Sequence, residues 1–300
     1  MVTAGYGPAP SQAGDLYLPP GDGIHPVVVL IHGGFWTAML DRSQLVPLAQ
    51  DLVDRGYAVW NIDYRGLGED GGGWPGTLED AAAAVDTLAG LVAGHLPGGQ
   101  TAADSARGRL DLDRVVAIGH SAGGQLALWL ASRPGLPAGA PGSSNAGVPL
   151  AAAVSLAGVL DLRAADADEL GVRFGDPTVP PPAKAPAPAR PELAPTIAGL
   201  TPHGTTAALL GGRADAMPDR YARLAQSNAC HRDRHLSSRD AERRSPTQSR
   251  AYVAAARERG DQVECVEVPG ADHFDVIDPG HPSWQAVVRR LPDLLKTAGD

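Results

Sequence analysis

The chain has 300 residues, a formal net charge of −9, 43% hydrophobic and 20% charged residues. Those proportions describe a globular protein long enough for one sizeable core, and they exclude a disordered or fibrous chain. The acidic balance argues against nucleic acid or an anionic membrane as the main partner, and no apolar run approaches the ~20 residues of a membrane helix. The first residues, MVTAGYGPAP, have no basic start and no apolar stretch, so no secretory signal is expected. Two cysteines, Cys230 and Cys265, cannot make a disulfide framework. A reducing, cytoplasmic setting and a single domain over residues 1–300 are therefore expected.

Short apolar runs alternate with helical patterns along the chain. Residues 15–18 form a candidate edge strand. Residues 27–31 (VVVLI) read as a buried strand that His32-Gly33-Gly34 breaks. Residues 43–55 have helical spacing, and residues 57–62 (YAVWNI) make the next strand. After a glycine-rich loop, Thr77 is placed to cap a helix to about residue 92, with Asp80 at capping-box spacing. Residues 114–119 (RVVAIG) are a strand, followed by an alanine-rich helix to about residue 132. Residues 151–156 and 263–268 (VECVEV) are further strands, and residues 282–295 are the final helix. Strands alternating with helices predict an α/β fold, with a mostly parallel central sheet covered on both faces.

Two stretches fall outside that pattern. Residues 176–202 are proline-rich and read as a flexible insertion that buries little and does not run as a helix. Residues 226–245 are polar and rich in Arg, His and Ser, where a doubly wound sheet would want a strand.

Gly119-His120-Ser121-Ala122-Gly123 is G-x-S-x-G directly after an apolar strand and before a helix. That context makes Ser121 the candidate nucleophile, its hydroxyl raised above the strand end at a helix N-terminus. A helix-capping serine in a glycine turn is the structural alternative. His32-Gly33-Gly34-Phe35-Trp36 follows an earlier strand. Acyl transfer needs N–H donors where a carbonyl oxygen becomes negative. One should come from Ala122 and another from Gly33, Gly34 or Phe35, with His32 as a structural hydrogen-bonding residue. The base is read as His273, in PGADHF after the last strand, with Asp272 beside it shaping the loop.

HGGFW, YRGLGEDGGGWPGTLED, GHSAGGQLALWLA and PGADHFDVIDP together resemble the α/β-hydrolase superfamily. Within it, the chain is similar to the small esterase branch near kynurenine-formamidase-like and feruloyl-esterase-like proteins. The resemblance covers most of residues 15–175 and 246–295. It implies a cofactor-free serine hydrolase, with Ser121 as nucleophile, His273 as base and Gly33–Phe35 as the oxyanion loop. It also implies that Trp36, Tyr64 and Trp74 line the substrate pocket. The expected substrate is a small carboxylic ester, with an arylformamide or other amide as the alternative. A catalytically weak, hydrolase-fold binding protein is the alternative from another class.

The third triad member departs from the family pattern, which places a carboxylate after a strand in a G-x-x-D turn. Counting back from Pro246, Asp240 lies nearest that place, with Glu242 and Asp233 as other candidates. Cys230-His231-Arg232-Asp233-Arg234-His235 matches no recurrent metal site, so no metal is expected. Either a polar loop has replaced the strand, or residues 226–245 are read in a shifted frame restored before Pro246. We favour the shifted frame. Only Lys184 and Lys296 are lysines, and such an Arg-, Ala-, Gly- and Pro-rich chain reflects a GC-rich gene, whose slipped frames tend to encode Arg, His and Ser. Translating the coding DNA in its other frames should yield an apolar strand followed by G-x-x-D; its absence from both frames would refute the shift.

Overall fold

The computed structural model describes residues 1–94, 100–143, 147–172, 174, 176, 178, 183–221 and 246–296. Asp240, Glu242, Asp233 and the whole 226–245 stretch lie outside the described residues. The strands are β1 (Val2–Gly5), β2 (Ala13–Tyr17), β3 (His25–Ile31), β4 (Ala58–Ile62), β5 (Leu110–His120) and β6 (Ala152–Leu156). They form one sheet in the order β1-β2-β4-β3-β5-β6. The β4-β3-β5-β6 part is parallel, and β1 and β2 add antiparallel strands at one side.

The helices in chain order are α1 (Val46–Asp54), α2 (Gly76–Ala93), α3 (Gln100–Ala106), α4 (Ala122–Ala131) and α5 (Leu162–Ala167). They continue with α6 (Ala194–Leu200), α7 (Thr205–Leu210), α8 (Pro246–Glu258), α9 (Pro282–Val288) and α10 (Leu291–Leu294). Alternate residues of β3 face opposite cores, as a pleated strand requires. Val27, Val29 and Ile31 pack with α2 and α3, whereas Val28 and Leu30 pack with α1, α9 and α10. That two-sided burial explains why the strand reads VVVLI without polar interruption. No helix among the described residues is long and apolar enough to cross a membrane.

The chain runs from β3 outward to β4, then crosses back over β3 to β5. The strand order therefore reverses between β3 and β5, where open α/β sheets leave a crevice at the carboxyl ends of their strands. Ile31 is the register partner of Gly119. The loops beginning at His32 and His120 consequently leave the sheet side by side at one level.

Several expectations are corrected. The strand near residues 15–18 is not an edge, because β1 pairs outside it. Residues 43–55 begin as a 3-10 turn, Arg42–Leu45, before α1. Thr77 does not cap α2, and Asp80 forms no capping box: Pro75 is the N-cap residue. Thr77 Oγ1 instead accepts the Gly73 amide at 2.9 Å, and the buried Asp80 carboxylate takes the Arg65 guanidinium through two bonds of 2.8 Å. A buried carboxylate needs that paired cation more than the helix needs a second cap. Residues 263–268 are not in a strand. A strand exists only through its neighbour, and this segment has no ladder partner among the described residues. The final helix is broken into α9 and α10, because Pro292 has no amide to continue the ladder.

The proline-rich stretch is also corrected, because it contains a 3-10 turn (Pro191–Leu193) and α6. Pro191 and Pro195 sit in the first turns of these two elements, where no amide is needed. Ile197 of α6 is 0% exposed and packs with Met39 and Leu67. The Ala189 amide donates to the Met39 carbonyl at 2.8 Å, and Arg190 pairs with Glu69 at 2.7 Å. Ile197→Ala should therefore destabilise the protein by about 2–4 kcal/mol in urea unfolding, as for buried Ile elsewhere. A loss under about 0.5 kcal/mol, the range of an exposed site, would contradict this packing.

Candidate active site

The turn after β5 carries Ser121 at φ 54°, ψ −116°, a conformation that costs a non-glycine residue about 1–3 kcal/mol. The surroundings over-determine it. The Ser121 amide donates to the Leu156 carbonyl at the end of β6 at 2.8 Å. The Ser121 carbonyl accepts from the Gly124 and Gln125 amides at 3.0 and 3.3 Å. Position 123 must be glycine, because a Cβ there would run into the carbonyls of Ile31 and His32. Ala122 begins α4, so its amide points out of the helix N-terminus. Ser121 itself is 3% exposed.

The loop after β3 lies against this turn. A Cβ on Gly33 would stand 3.0 Å from Ser121 Cβ and 2.8 Å from His120 Nδ1, so only glycine fits. The Gly33 amide is already engaged, donating to Gln44 Oε1 at 2.7 Å. Gly34, Phe35 and Trp36 all have positive φ, of 117°, 57° and 56°. The loop is tied off by Thr37, whose amide and hydroxyl donate to the Gly34 carbonyl at 2.9 and 2.8 Å. The Gly34 and Ala122 amides have no acceptor among the described residues.

Below the loop, His32 is buried and structural, as its position suggested. Its Nδ1 lies 2.7 Å from the Gly33 carbonyl oxygen and its Nε2 lies 2.9 Å from Asp63 Oδ1. Tyr64 stacks on the imidazole at 4.4 Å and donates its hydroxyl to the His32 carbonyl at 3.1 Å. Burial first, and the Asp63 charge second, push the Tyr64 hydroxyl far above its usual pKa, so it remains a donor. Arg42 links Asp63 to Asp15 through bonds of 3.0 and 2.9 Å.

Of the three aromatic residues expected at the pocket, two belong to this packing. Trp36 is 0% exposed and donates its indole N–H to Gln125 Oε1 of α4 at 3.2 Å. Tyr64 is committed to His32. Trp74 is half-buried, with the Arg220 guanidinium 5.5 Å over its ring. Phe35, by contrast, meets Phe174 at a ring separation of 4.5 Å.

His273 comes to the same place from the end of the chain. Its carbonyl accepts from His120 Nε2 at 2.9 Å, and the two rings lie 4.7 Å apart. The residue before Ser121 therefore touches the loop that carries the candidate base. Asp272 shapes that loop, as expected, accepting the Phe274 and Asp275 amides at 2.9 Å each. Lys184, from the proline-rich stretch, reaches Asp272 at 2.8 Å and Asp275 at 2.5 Å. Burial alone would raise both carboxyl pKa values, but bonds from Lys184 and from backbone amides outweigh it, and both lie below the usual range. The two aspartates raise Lys184 in turn. The ionic clasp is thus complete above the ordinary Asp value of about 4 and below the ordinary Lys value of about 10, and is lost only outside that window. Composition and periodicity gave no signal for Lys184, Gln44 or Phe174, because each acts across loops distant in sequence.

Among the described residues, no group of three or more His, Cys, Asp or Glu side chains could hold a metal ion. The Cys230–His235 cluster and the candidate acid Asp240 lie outside the described residues.

Comparison with known proteins agrees with this architecture. A probable carboxylic ester hydrolase of Mycobacterium tuberculosis, LipM, is 32% identical over 139 residues, 46% of this chain. The chain spans only 29% of that relative's length. A truncated carbohydrate esterase from gut microbiota superposes with a TM-score of 0.69 at 16% identity, over 99% of this chain and 96% of that one. Esterase B of Lactobacillus rhamnosis superposes with a TM-score of 0.66 at 20% identity, over 96% of this chain and 82% of that one. The mostly parallel sheet, its two helical layers and these shared architectures define an α/β-hydrolase fold. Residues 15–177, more than half of the chain, match the BD-FAE family, and the chain belongs to it.

Proposed function

We propose that the protein is a serine hydrolase that cleaves a small carboxylic ester through an acyl-enzyme. The observation that carries this reading is the strained Ser121 turn packed against Gly33, with the His273 loop bonded to His120. Ser121 Oγ attacks the acyl carbon as His273 takes its proton. The carbonyl oxygen becomes an oxyanion that the Ala122 and Gly34 amides receive at the α4 N-terminus. Such preorganised donors are worth about 3–4 kcal/mol each in acyl transfer. Gly33 contributes through its lack of a side chain, since Gln44 holds its amide. Collapse of the intermediate expels the alcohol, which takes the proton from His273. Water, activated by His273, then attacks the acyl-enzyme and releases the acid and Ser121.

A carboxylate to orient His273 belongs to this mechanism, and Asp240 is the residue we propose for it. LipM, the matched relative, carries a carboxylic ester hydrolase name, which supports the ester over the amide.

Hydrolysis of a short-chain p-nitrophenyl ester, measured beside Ser121→Ala and His273→Ala, tests the reading. Each substitution should lower kcat by roughly 10³-fold or more, and Asp240→Asn by less. An N-formyl aryl amide should turn over more slowly than the ester. A Ser121→Ala protein as active as the unsubstituted one would overturn the proposal. Faster turnover of the formamide would move the substrate to the amide class.

A further inference from the structure

Gln44 stands between the two loops that build the site, and nothing in the proposed chemistry uses it. Its Oε1 accepts the Gly33 amide at 2.7 Å and lies 3.3 Å from His120 Nδ1. The Gly33 amide requires an acceptor, so the side-chain oxygen, not the nitrogen, faces it. On the other side of the ring, His120 Nε2 faces the His273 carbonyl at 2.9 Å. A carbonyl only accepts, so His120 carries its proton on Nε2 and donates it there. Nδ1 of that tautomer is an acceptor, as Gln44 Oε1 is, so the two side chains pack at 3.3 Å without a hydrogen bond between them. Gln44 thus holds the oxyanion loop and His120 holds the backbone of the base, with Ser121 directly following His120.

The platform under Gln44 is rigid. Asp41 caps the short turn by accepting the Ser43 amide at 2.9 Å. Arg42 is held by Asp15 and Asp63, and its carbonyl accepts from Asn61 Nδ2 of β4 at 2.8 Å. His120 is 1% exposed, so its bond to the His273 carbonyl lies in a dry region where hydrogen bonds hold geometry well. The turn after β5 and the His273 loop that it joins share no strand.

We infer that Gln44 and His120 are positioning residues on either side of Ser121, Gln44 fixing the oxyanion loop and His120 fixing the His273 loop. This rests on the serine-hydrolase reading above. Neither side chain is given a role at the reacting atoms. Their effect passes through the Gly33 amide, which sets how Gly34 is presented, and through the His273 carbonyl, which sets where the imidazole stands. A displacement of a reacting group by about 1 Å can cost on the order of 10²-fold in rate.

The leaving group separates this role from a purely structural one. A p-nitrophenolate departs without a proton, whereas an alkoxide needs one from His273 in the transition state. The experiment therefore uses the full chain with a p-nitrophenyl ester and an ethyl ester of the same acyl group. His120→Ala should lower kcat on the ethyl ester at least about tenfold more than on the p-nitrophenyl ester, with KM little changed. His120→Gln, whose amide N–H can reach the same carbonyl, should recover most of the rate. Gln44→Ala, which acts on the oxyanion loop, should lower both esters alike. Where His120→Ala does not fold, His120→Phe, which keeps a ring and removes the N–H donor, should show the same leaving-group split as expected of His120→Ala. Equal losses on both esters in the His120 variants would overturn the inference. Ser121→Ala is assayed alongside. Its full activity would defeat the serine-hydrolase reading itself, whereas its silence together with equal losses would defeat only the positioning role.

Discussion

The parallel pairing of β3 with β5 sets the position of everything else in the site. Ile31 opposite Gly119 brings His32-Gly33 and His120-Ser121 off the sheet at one height, in the crevice where the strand order reverses. At that separation there is no space for side chains between the two loops. Gly33 and Gly123 meet it by omission, since a Cβ on either would strike the facing loop. A register slip of one residue would turn every β3 side chain to the wrong core. The burial of Val27–Ile31 on both faces therefore protects the geometry of the candidate site as well as the fold.

The remaining loops are fastened to this pair by polar contacts. His32, Asp63, Arg42 and Asp15 form a buried chain beneath the oxyanion loop. Arg42 bonds both carboxylates and His32 Nε2 lies beside Asp63, which is what makes burial of these polar groups tolerable. On the other side, Lys184 clasps the aspartates that flank His273, while Arg190 and Ala189 bind the same stretch to Glu69 and Met39. The proline-rich segment thus touches the loop after β3 on one side of the candidate site and the His273 loop on the other. Its exposed lysine is screened by solvent, so Ile197, fully buried against Met39 and Leu67, is its firmer attachment.

What the sequence disclosed follows the reach of each interaction. The Ser121 turn was legible because strand, G-x-S-x-G and helix are contiguous and each part has a local physical cause. The buried strands were legible because double-sided burial leaves unbroken apolar runs. The short β1 strand was not, since VTAG has neither length nor alternation. Residues 263–268 carry the right composition, but a ladder is a property of two segments and composition describes one. Thr77 and Asp80 have capping-box spacing, yet Arg65 competes for the carboxylate from a loop that local spacing ignores. The prolines near residue 191 suggested an unstructured run, although the first turn of a helix tolerates them. The partners of Trp36 and Tyr64, Gln125 and the His32 carbonyl, lie far off in sequence, so their bonds had no local signal.

The central claim is that the strain at Ser121 is held in place to expose a reactive hydroxyl. Intact-mass spectrometry after treatment with a fluorophosphonate, followed by peptide mapping, tests it most directly. The account predicts one adduct, on the peptide containing Ser121, that Ser121→Ala abolishes. A folded protein that takes up no label, or that is labelled on another residue, would contradict it.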